Sequence, residues 1–234
     1  HVDRSIDGSA DEFIRTNVLG VHSLLNALKD SPTVLKMLQV STDEVWGDLT
    51  IKSSKKFDES WPLVPSSPYS ASKASGDMLA LSYFHTYKTP IVITRSVNNY
   101  GERQYPEKLI PFFITLAMKG KPLALYGNGK NVRSWIYVDD HSRALLHVLK
   151  DGKVGEVYGV SSNEEYSNIE IAKMILKEFG LPQERIEFVK DRLGHDRRYA
   201  VNPAKLRRLG WRPQHTLASD LPKVIDWYKD ENMI

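Results

Sequence analysis

Tyr69 and Lys73 form the pair whose chemistry the sequence indicates most directly. Four residues apart on a helix, their side chains share one face, so the ammonium can lower the pKa of the phenol and make it a proton acceptor. The acid pair of Asp43 and Glu44 follows Thr42 at the point where an apolar run ends. It supplies a separate proton donor and acceptor. Together these groups suggest redox-assisted proton chemistry on an alcohol.

The composition is that of a globular protein. The chain has 234 residues, 41% of them hydrophobic, which suffices for one large domain or two small ones. The net charge is +3, with Lys and Arg spread along the chain, so we expect no nucleic-acid partner. There is no cysteine, and the seven histidines show neither HxH nor HExxH spacing, so we expect no metal site.

Hydropathy indicates neither a membrane span nor a signal peptide. No apolar run approaches the roughly 20 residues that a spanning helix needs, and the first residues lack a signal-peptide pattern. We therefore expect no membrane partner and a cytoplasmic location.

The first half reads as a series of helices and strands. Apolar residues with a helical period predict a helix over 11–29, and a strand over 34–41, a helix over 69–87 and a strand over 91–94 follow. Apolar strands joined through helices are typical of a parallel sheet with right-handed crossovers, whose ligands bind beyond the carboxyl ends of the strands. The acid pair lies at such an end. The expected fold class is α/β, with a Rossmann-like doubly wound parallel sheet.

Beyond residue 101 the pattern loosens, which predicts a smaller α+β lobe that binds substrate. The predicted helices there cover 109–119, 139–149, 168–179 and 217–228, and the predicted strands cover 123–126, 132–138, 157–160 and 186–189.

Seven short motifs occur in order along nearly the whole chain. They are HVDRS at 1–5, STDEV at 41–45, YSASK at 69–73, NNYG at 98–101, EKLIP at 107–111, WIYVDDH at 135–141 and GHDRRY at 194–199. This ordered set resembles the dTDP-glucose 4,6-dehydratases, which are extended short-chain dehydrogenase/reductases. The YxxxK spacing alone would indicate little, because most isolated Tyr and Lys pairs on helices are surface pairs.

The resemblance implies two domains. Residues 1–101 would form a partial NAD-binding Rossmann domain, and residues 102–234 mainly a nucleotide-sugar-binding domain, with residues 132–150 returning to the Rossmann sheet. The family opens with a GxxGxxG loop that seats the dinucleotide pyrophosphate, and this sequence contains no such loop. The Rossmann domain is therefore expected to be N-terminally incomplete. The chain is then a fragment, takes the missing strands from another polypeptide, or does not bind NAD in the usual way.

The mechanism implied by the resemblance uses NAD as an internal oxidant and reductant. Tyr69 as phenolate takes the proton of the sugar 4-hydroxyl while C4 gives hydride to NAD, and Lys73 stabilises the phenolate and binds the nicotinamide ribose. Glu44 then removes the C5 hydrogen, Asp43 protonates the departing 6-hydroxyl, and Thr42 orients the 4-oxygen. Return of a hydride from NADH to C6 and of a proton to C5 gives dTDP-4-keto-6-deoxyglucose. Because the two acids must differ in protonation, we expect a raised pKa for Asp43.

The resemblance also implies contacts to cofactor and substrate. The cofactor contacts are Tyr69, Lys73 and Asn99, and the substrate contacts are Thr42, Asn98, Lys108, Leu109, Arg133, Asn168, Arg192, His195 and Tyr199. A guanidinium such as that of Arg133 grips phosphate bidentately. From the residues alone, three alternatives stay open: a surface ion pair for Arg133, a structural role for His195, and a plain turn for the NNYG segment.

Alternatives also stay open for the function. An acid dipeptide at a strand end is more often simply solvated, although two carboxylates favour a dehydratase over the related 4-epimerases, which carry small uncharged residues there. Trp46 and Val97 depart from the family pattern and leave a UDP- or GDP-hexose dehydratase open. A catalytically silent nucleotide-sugar-binding remnant is a further alternative. The family commonly forms homodimers through a four-helix interface, for which the helices at 11–29 and 69–87 are the candidates.

Overall fold

The computed structural model describes residues 2–230, in which helices and strands alternate. The helices are α1 (Val2–Asp7), α2 (Asp11–Ile14), α3 (Val21–Leu28), α4 (Pro68–Tyr87), α5 (Leu109–Met118), α6 (Val138–Asp151), α7 (Asn168–Glu178), α8 (Ala204–Arg208) and α9 (Leu217–Asp230). The strands are β1 (Met37–Thr42), β2 (Ile91–Ser96), β3 (Asn98–Tyr100), β4 (Leu123–Tyr126), β5 (Val132–Tyr137), β6 (Val157–Val160), β7 (Glu164–Ser167) and β8 (Ile186–Val189). A π-helical segment, Arg15–Gly20, lies between α2 and α3, and 3-10 helices cover Asp43–Trp46 and Gln183–Arg185.

A parallel three-stranded sheet, in the order β1-β2-β6, forms the centre of the fold. Its register pairs Thr42 with Ser96 and Ser96 with Val160, so the three strands end level with one another. Every residue of β2 is buried, as expected for a strand of a parallel sheet that is covered on both faces. Polar residues that follow β1 and β2 therefore meet at one edge of the sheet.

Helices cover both faces of this central sheet. Ile91 and Ile93 of β2 pack with Leu25 of α3, whereas Val92 lies in a separate cluster with Val148 of α6. Because successive residues of a strand point to opposite faces, α3 and α4 lie on one face and α6 on the other.

A capping box fixes the start of α4. The Ser67 hydroxyl accepts a hydrogen bond from the backbone N–H of Ser70 at 3.1 Å, and the Ser70 hydroxyl accepts one from the N–H of Ser67 at 3.0 Å. Pro68 fits the first turn, because the backbone N–H that proline lacks would have no acceptor within the helix at this position. Tyr69 thereby lies in the first turn of α4, beside the carboxyl edge of the sheet.

Two smaller sheets form the second lobe. In one, β5 pairs in parallel with β3 and antiparallel with β7, and in the other β4 pairs in parallel with β8. Helices α5, α7 and α9 surround a common apolar cluster that includes Phe113, Ile175 and Val224. Only Val97 separates β3 from β2, so the chain passes directly from the central sheet into this lobe.

The predicted α/β class with a parallel sheet is confirmed, but two strands lie elsewhere than expected. The strand at 132–137 was expected to return to the central sheet, and it pairs instead with β3 and β7, because β3 continues β2 past the sheet edge. The strand at 157–160 was expected in the lobe, and it is the third strand of the central sheet. Helix α6 does pack on β1 and β2. The domain division after residue 101 stays a prediction.

The N-terminal elements also differ in detail from the sequence prediction. The single helix expected over 11–29 is divided by the π-helical segment. The first strand begins at Met37 rather than at residue 34, because its pairing partner β2 begins at Ile91. The prediction missed α1, β3, β7 and α8, which are too short to show a period. Among residues 2–230 no helix has the length and apolar character that a membrane crossing requires.

Candidate active site

A cavity of about 810 Å³ lies between the carboxyl edge of the central sheet and the second lobe. All but one of the residues predicted from the sequence line it: Thr42, Asp43, Glu44, Tyr69, Asn98, Asn99, Lys108, Leu109, Arg133, Asn168, Arg192, His195 and Tyr199. The exception is Lys73, whose ammonium donates a hydrogen bond to the carbonyl of Val40 at 2.7 Å.

The acid pair lies on a tight turn at the end of β1. The Thr42 hydroxyl accepts a hydrogen bond from the N–H of Glu44 and donates one to Oδ1 of Asp43, both at 3.3 Å, and so caps the 3-10 helix. Gly47 ends the turn with φ of 85°, and a Cβ there would lie 2.5 Å from the carbonyl oxygen of Val64. Only glycine fits this close approach, which fixes both carboxylates at the cavity wall.

The two carboxyls of this pair differ in their surroundings. Burial, then the charge of Glu44, raises the pKa of Asp43 to about 8. Burial also raises the pKa of Glu44, but the positive charges of Arg133, Arg192 and Lys108 oppose that rise. The expected rise for Asp43 is confirmed. Asp43 therefore holds a proton near neutral pH, and its Oδ2 is buried without a hydrogen-bond partner among residues 2–230.

Tyr69 packs edge-on against Phe13 of α2, with the ring centres 5.9 Å apart. Burial, followed by the charges of Glu44 and Asp43, raises the pKa of its phenol. The expectation that Lys73 lowers this pKa is wrong for the arrangement in this structure, because the ammonium is turned to the carbonyl of Val40 and burial dominates. Burial also lowers the pKa of Lys73 itself.

Arg133 presents its guanidinium to the cavity from β5. Its two terminal nitrogens donate to the carbonyls of Val132 at 2.8 Å and Asp196 at 2.9 Å, and its guanidinium carbon lies 4.3 Å from the centre of the Tyr199 ring. The hydroxyl of Tyr199 donates to the Asp196 carboxylate. Arg133 is buried, so the alternative of a surface ion pair is wrong. Its charge acts on the acid pair and suits an anionic ligand in the cavity.

The segment Asn98 to Tyr100 is strand β3 rather than a plain turn. The register sets Asn98 beside Trp135 of β5. The side-chain amide of Asn99 donates to the carbonyl of Val97 at 3.3 Å, while its Oδ1 is buried without a partner in the described part of the chain. Asn99 therefore offers a free acceptor at the cavity wall.

Helix α1 closes one side of the cavity, which the sequence analysis did not predict. Arg4 pairs with Glu107 at 2.7 Å, and Asp3 pairs with Arg192 at 2.8 Å. Val2, Asp3, Arg4 and Asp7 all line the cavity. The HVDRS motif was the signal that could have indicated this, although His1 itself lies outside the described residues.

His195 belongs to the same wall as Arg192. Its Nδ1 lies 2.6 Å from the Asp191 carboxylate, and its ring meets Tyr126 edge-on at 6.2 Å. Burial lowers the pKa of His195, and Asp191 opposes that effect. The carboxylate orients the imidazole toward the cavity.

Three further polar residues at the cavity wall were missed. Gln104, Trp135 and His141 each have a buried polar atom without a partner among residues 2–230: Oε1, Nε1 and Nε2 respectively. Burial lowers the pKa of His141 to about 4, so this imidazole is neutral at physiological pH. Trp135 and His141 begin and end the WIYVDDH motif, which was the signal that could have indicated them, whereas Gln104 lies in none of the seven motifs.

The wall near Tyr69 fits part of a nicotinamide cofactor. The unpartnered Oδ1 of Asn99 is an acceptor for the carboxamide N–H groups of a nicotinamide. Tyr69 lies at the same cavity, and Lys73 reaches its edge through Val40, which lines it. These are the residues of this chain that would hold the nicotinamide end of NAD.

Comparison with known proteins identifies relatives over nearly the whole chain. The family model for GDP-mannose 4,6 dehydratase matches residues 1–223. The low-salt glycan biosynthesis protein Agl12 of Haloferax volcanii is 48% identical over 228 residues, which cover 97% of this chain and 72% of that protein. A dTDP-glucose 4,6-dehydratase of Neisseria gonorrhoeae is 45% identical over 250 residues, which cover 98% of this chain and 72% of the relative.

A solved structure of a dTDP-glucose 4,6-dehydratase is also similar to this chain. The dTDP-glucose 4,6-dehydratase DesIV of Streptomyces venezuelae, solved with NAD bound, superposes with a TM-score of 0.95 at 43% identity, over 99% of this chain and 71% of that one. Likeness of this extent in both sequence and structure means that the chain belongs to the dTDP-glucose 4,6-dehydratase family.

Proposed function

We propose that this protein converts dTDP-glucose to dTDP-4-keto-6-deoxyglucose, with NAD as its cofactor. The observation that carries the proposal is the contrast between Asp43 and Glu44. The pKa of Asp43 is raised to about 8, whereas three cations oppose the rise at Glu44. Elimination of water needs a base that removes the hydrogen from one carbon and an acid that protonates the hydroxyl on the next carbon. The pair of Asp43 and Glu44 provides one of each.

The first step is oxidation at C4. Tyr69 takes the proton of the 4-hydroxyl, and the hydroxyl of Thr42 orients the same oxygen. When bound, NAD supplies the hydride acceptor for C4 and the hydride donor for C6, and its oxidised nicotinamide brings positive charge to the cavity. Positive charge favours the phenolate form of Tyr69 against the opposing charges of the acid pair.

The second step is elimination across C5 and C6. The C4 ketone acidifies the C5 hydrogen, and Glu44 removes it. Asp43 gives its proton to the departing 6-hydroxyl, which leaves as water. The proton that Glu44 has taken returns to C5 when C6 is reduced. Burial of Asp43 keeps that proton in place until the leaving group develops charge.

The nucleotide diphosphate would bind along the second lobe. Arg133, Lys108 and Arg192 set a positive potential at the cavity, which suits a diphosphate. The other proposed substrate contacts, Asn98, Leu109, Asn168, His195 and Tyr199, line the remaining wall.

The experiment that tests the proposal is mass spectrometry of dTDP-glucose after incubation with this protein and added NAD. We expect loss of one water in the wild type, and a rate at least about 100-fold lower with Glu44→Gln. Calorimetric titration with dTDP shows whether the variant still binds nucleotide. An unchanged sugar in the wild type, with dTDP bound normally, would contradict dehydration and favour a silent binding protein.

The matched family model, described as GDP-mannose 4,6 dehydratase, favours one second candidate, a GDP-hexose dehydratase. Parallel incubations with dTDP-glucose and GDP-mannose separate the two candidates, because the nucleotide sugar that the site fits better gives the larger kcat/KM.

The homodimer and the cytoplasmic location stay predictions. Helices α2 to α4 expose the apolar side chains of Ile14, Leu19, Leu24 and Met78, which supports a helical interface with a second copy.

A further inference from the structure

A buried ion pair, that of Asp77 with Arg95, lies one helical turn from Lys73 on α4. Tyr69, Lys73 and Asp77 follow one another at intervals of four on α4 and so share one helix face. One turn beyond Lys73, Oδ2 of Asp77 accepts a hydrogen bond from Nε of Arg95 at 2.9 Å. Arg95 lies beside Ser41 in the register of β1 and β2, one residue from the carbonyl of Val40 that holds Lys73. The helix face is therefore tied to two adjacent positions of the sheet.

Arg95 also contacts the turn that carries the acid pair. Its guanidinium carbon lies 5.0 Å from the centre of a Trp46 ring, and Trp46 is the last residue of the Asp43–Trp46 turn. One side chain thus joins the helix of Tyr69 and Lys73 to the turn of Asp43 and Glu44.

Stability alone does not account for this pair. Asp77 is 0% exposed and Arg95 is 3% exposed, so both charges are removed from water. Such a pair is often no more stable than apolar residues of similar size. In addition, Oδ1 of Asp77 has no partner among residues 2–230, which adds a cost.

We propose that Asp77 and Arg95 are positioning residues for the reaction described above, on which this inference rests. The pair fixes the Tyr69 and Lys73 face of α4 against β1 and β2, and through Trp46 it sets this face relative to Asp43 and Glu44. The pair of the oxidation, Tyr69 and Lys73, is thereby held at a fixed position relative to the acid pair of the elimination.

The pair also acts on Lys73 through charge. Burial lowers the pKa of Lys73, and the carboxylate of Asp77 opposes this. Asp77 itself pairs with Arg95 of β2. The charges of Asp43 and Glu44 act on Tyr69. Removal of the Asp77 charge is therefore expected to lower the pKa of Lys73 further, so that the ammonium is lost at a lower pH.

Three variants separate positioning from stability. Asp77→Asn keeps the shape and removes the charge. The double variant Asp77→Leu with Arg95→Met replaces the pair by apolar side chains of similar size. Glu165→Gln is the matched control, because it removes the carboxylate from another largely buried pair, that of Glu165 with Arg198 at 2.7 Å.

Single-turnover hydride transfer, followed by nicotinamide absorbance, and the melting temperature are measured for each variant. We expect Asp77→Asn and the double variant to lower the rate by about 10- to 100-fold, with little change in the concentration that gives half the maximal rate, and Glu165→Gln to leave the rate unchanged. We expect the double variant to melt at or above the wild-type temperature. A double variant with the wild-type rate and pH profile would overturn the proposal, because the pair would then serve stability only.

A second readout does not depend on turnover. NMR of 13C-labelled lysine, assigned with Lys73→Arg, follows the titration of the Lys73 ammonium in wild type and in Asp77→Asn. A lower pKa in Asp77→Asn supports the proposal, and an unchanged one overturns it. If the wild type forms no 4-keto sugar, the proposed function fails, while this titration still decides the role of Asp77.

Discussion

The guanidinium of Arg133 stacks on the ring of Tyr199 at 4.3 Å, and two backbone carbonyls hold it in that position. Every one of these contacts depends on a flat, forked cation. The arrangement leaves a positive charge exposed to the cavity in a fixed orientation.

Arg133→Lys is therefore expected to weaken nucleotide binding although it keeps the charge. Loss of charged hydrogen bonds of this kind costs about 1.5–3 kcal/mol, or about 10- to 100-fold in Kd. Calorimetric titration with dTDP measures the change. Arg185→Lys is the control, since it makes the same change at a partly exposed arginine that donates to the carbonyl of Gly120. Equal affinity of Arg133→Lys and wild type would show that charge alone is enough.

The dehydration rate is expected to fall as the pH rises through about 8. The proposed acid Asp43 must be protonated, and its pKa is raised to about 8 by burial and by Glu44. Rates of water loss at saturating substrate, measured from neutral to alkaline pH, check this. In Asp43→Asn the remaining activity should lack this alkaline decline. A decline that persists in that variant would assign it to another group, such as Lys73.

Asp43→Asn is also expected to stabilise the fold at neutral pH. The folded pKa of Asp43 lies above its ordinary value of 3.8, so its contribution to stability is present in full below 3.8 and is lost as the pH rises toward 8. The asparagine variant does not titrate. Its melting temperature should exceed that of wild type at pH 7, and the difference should shrink at acidic pH. A constant difference across this range would exclude titration as the cause.

Thr42→Val is expected to affect stability and catalysis together. The hydroxyl caps the turn through the N–H of Glu44, and loss of such a cap costs about 1 kcal/mol. The same hydroxyl lowers the pKa of Tyr69, so the variant should need a higher pH to ionise the phenol. Thr42→Ser keeps both interactions and is the control. Denaturant unfolding and the pH profile of hydride transfer measure the two effects, and a Thr42→Ser variant as impaired as Thr42→Val would contradict the role of the hydroxyl.

The sequence predicted the site well where a local signal exists. The apolar run that ends at Thr42 placed the acid pair at the carboxyl end of a strand, and the spacing of Tyr69 and Lys73 placed them on one helix face. The direction of the Lys73 ammonium could not be predicted, because it depends on the carbonyl of Val40 in another element.

Contacts between residues that are distant along the chain could likewise not be predicted from the sequence. The ion pair of Asp3 with Arg192 joins residues 189 positions apart, and no periodicity reports such a pair. The strand at 132–137 has the pattern of a buried strand in either sheet, so the pattern could not show that it pairs with β3 and β7. Short elements such as β3 depend on their neighbours for pairing rather than on a period of their own.

The single residue between β2 and β3 has a mechanical consequence. Val97 is buried at 2% exposure, and its N–H donates to the carbonyl of Val160 in the central sheet. The chain therefore crosses from the sheet that carries Thr42 to the lobe that carries Arg133 without a flexible joint. Opening of the cavity along this seam would break sheet hydrogen bonds, so the seam holds Thr42 and Arg133 at a fixed separation. The ion pairs of α1 with Glu107 and Arg192 join side chains alone, so they can separate without any change in a sheet.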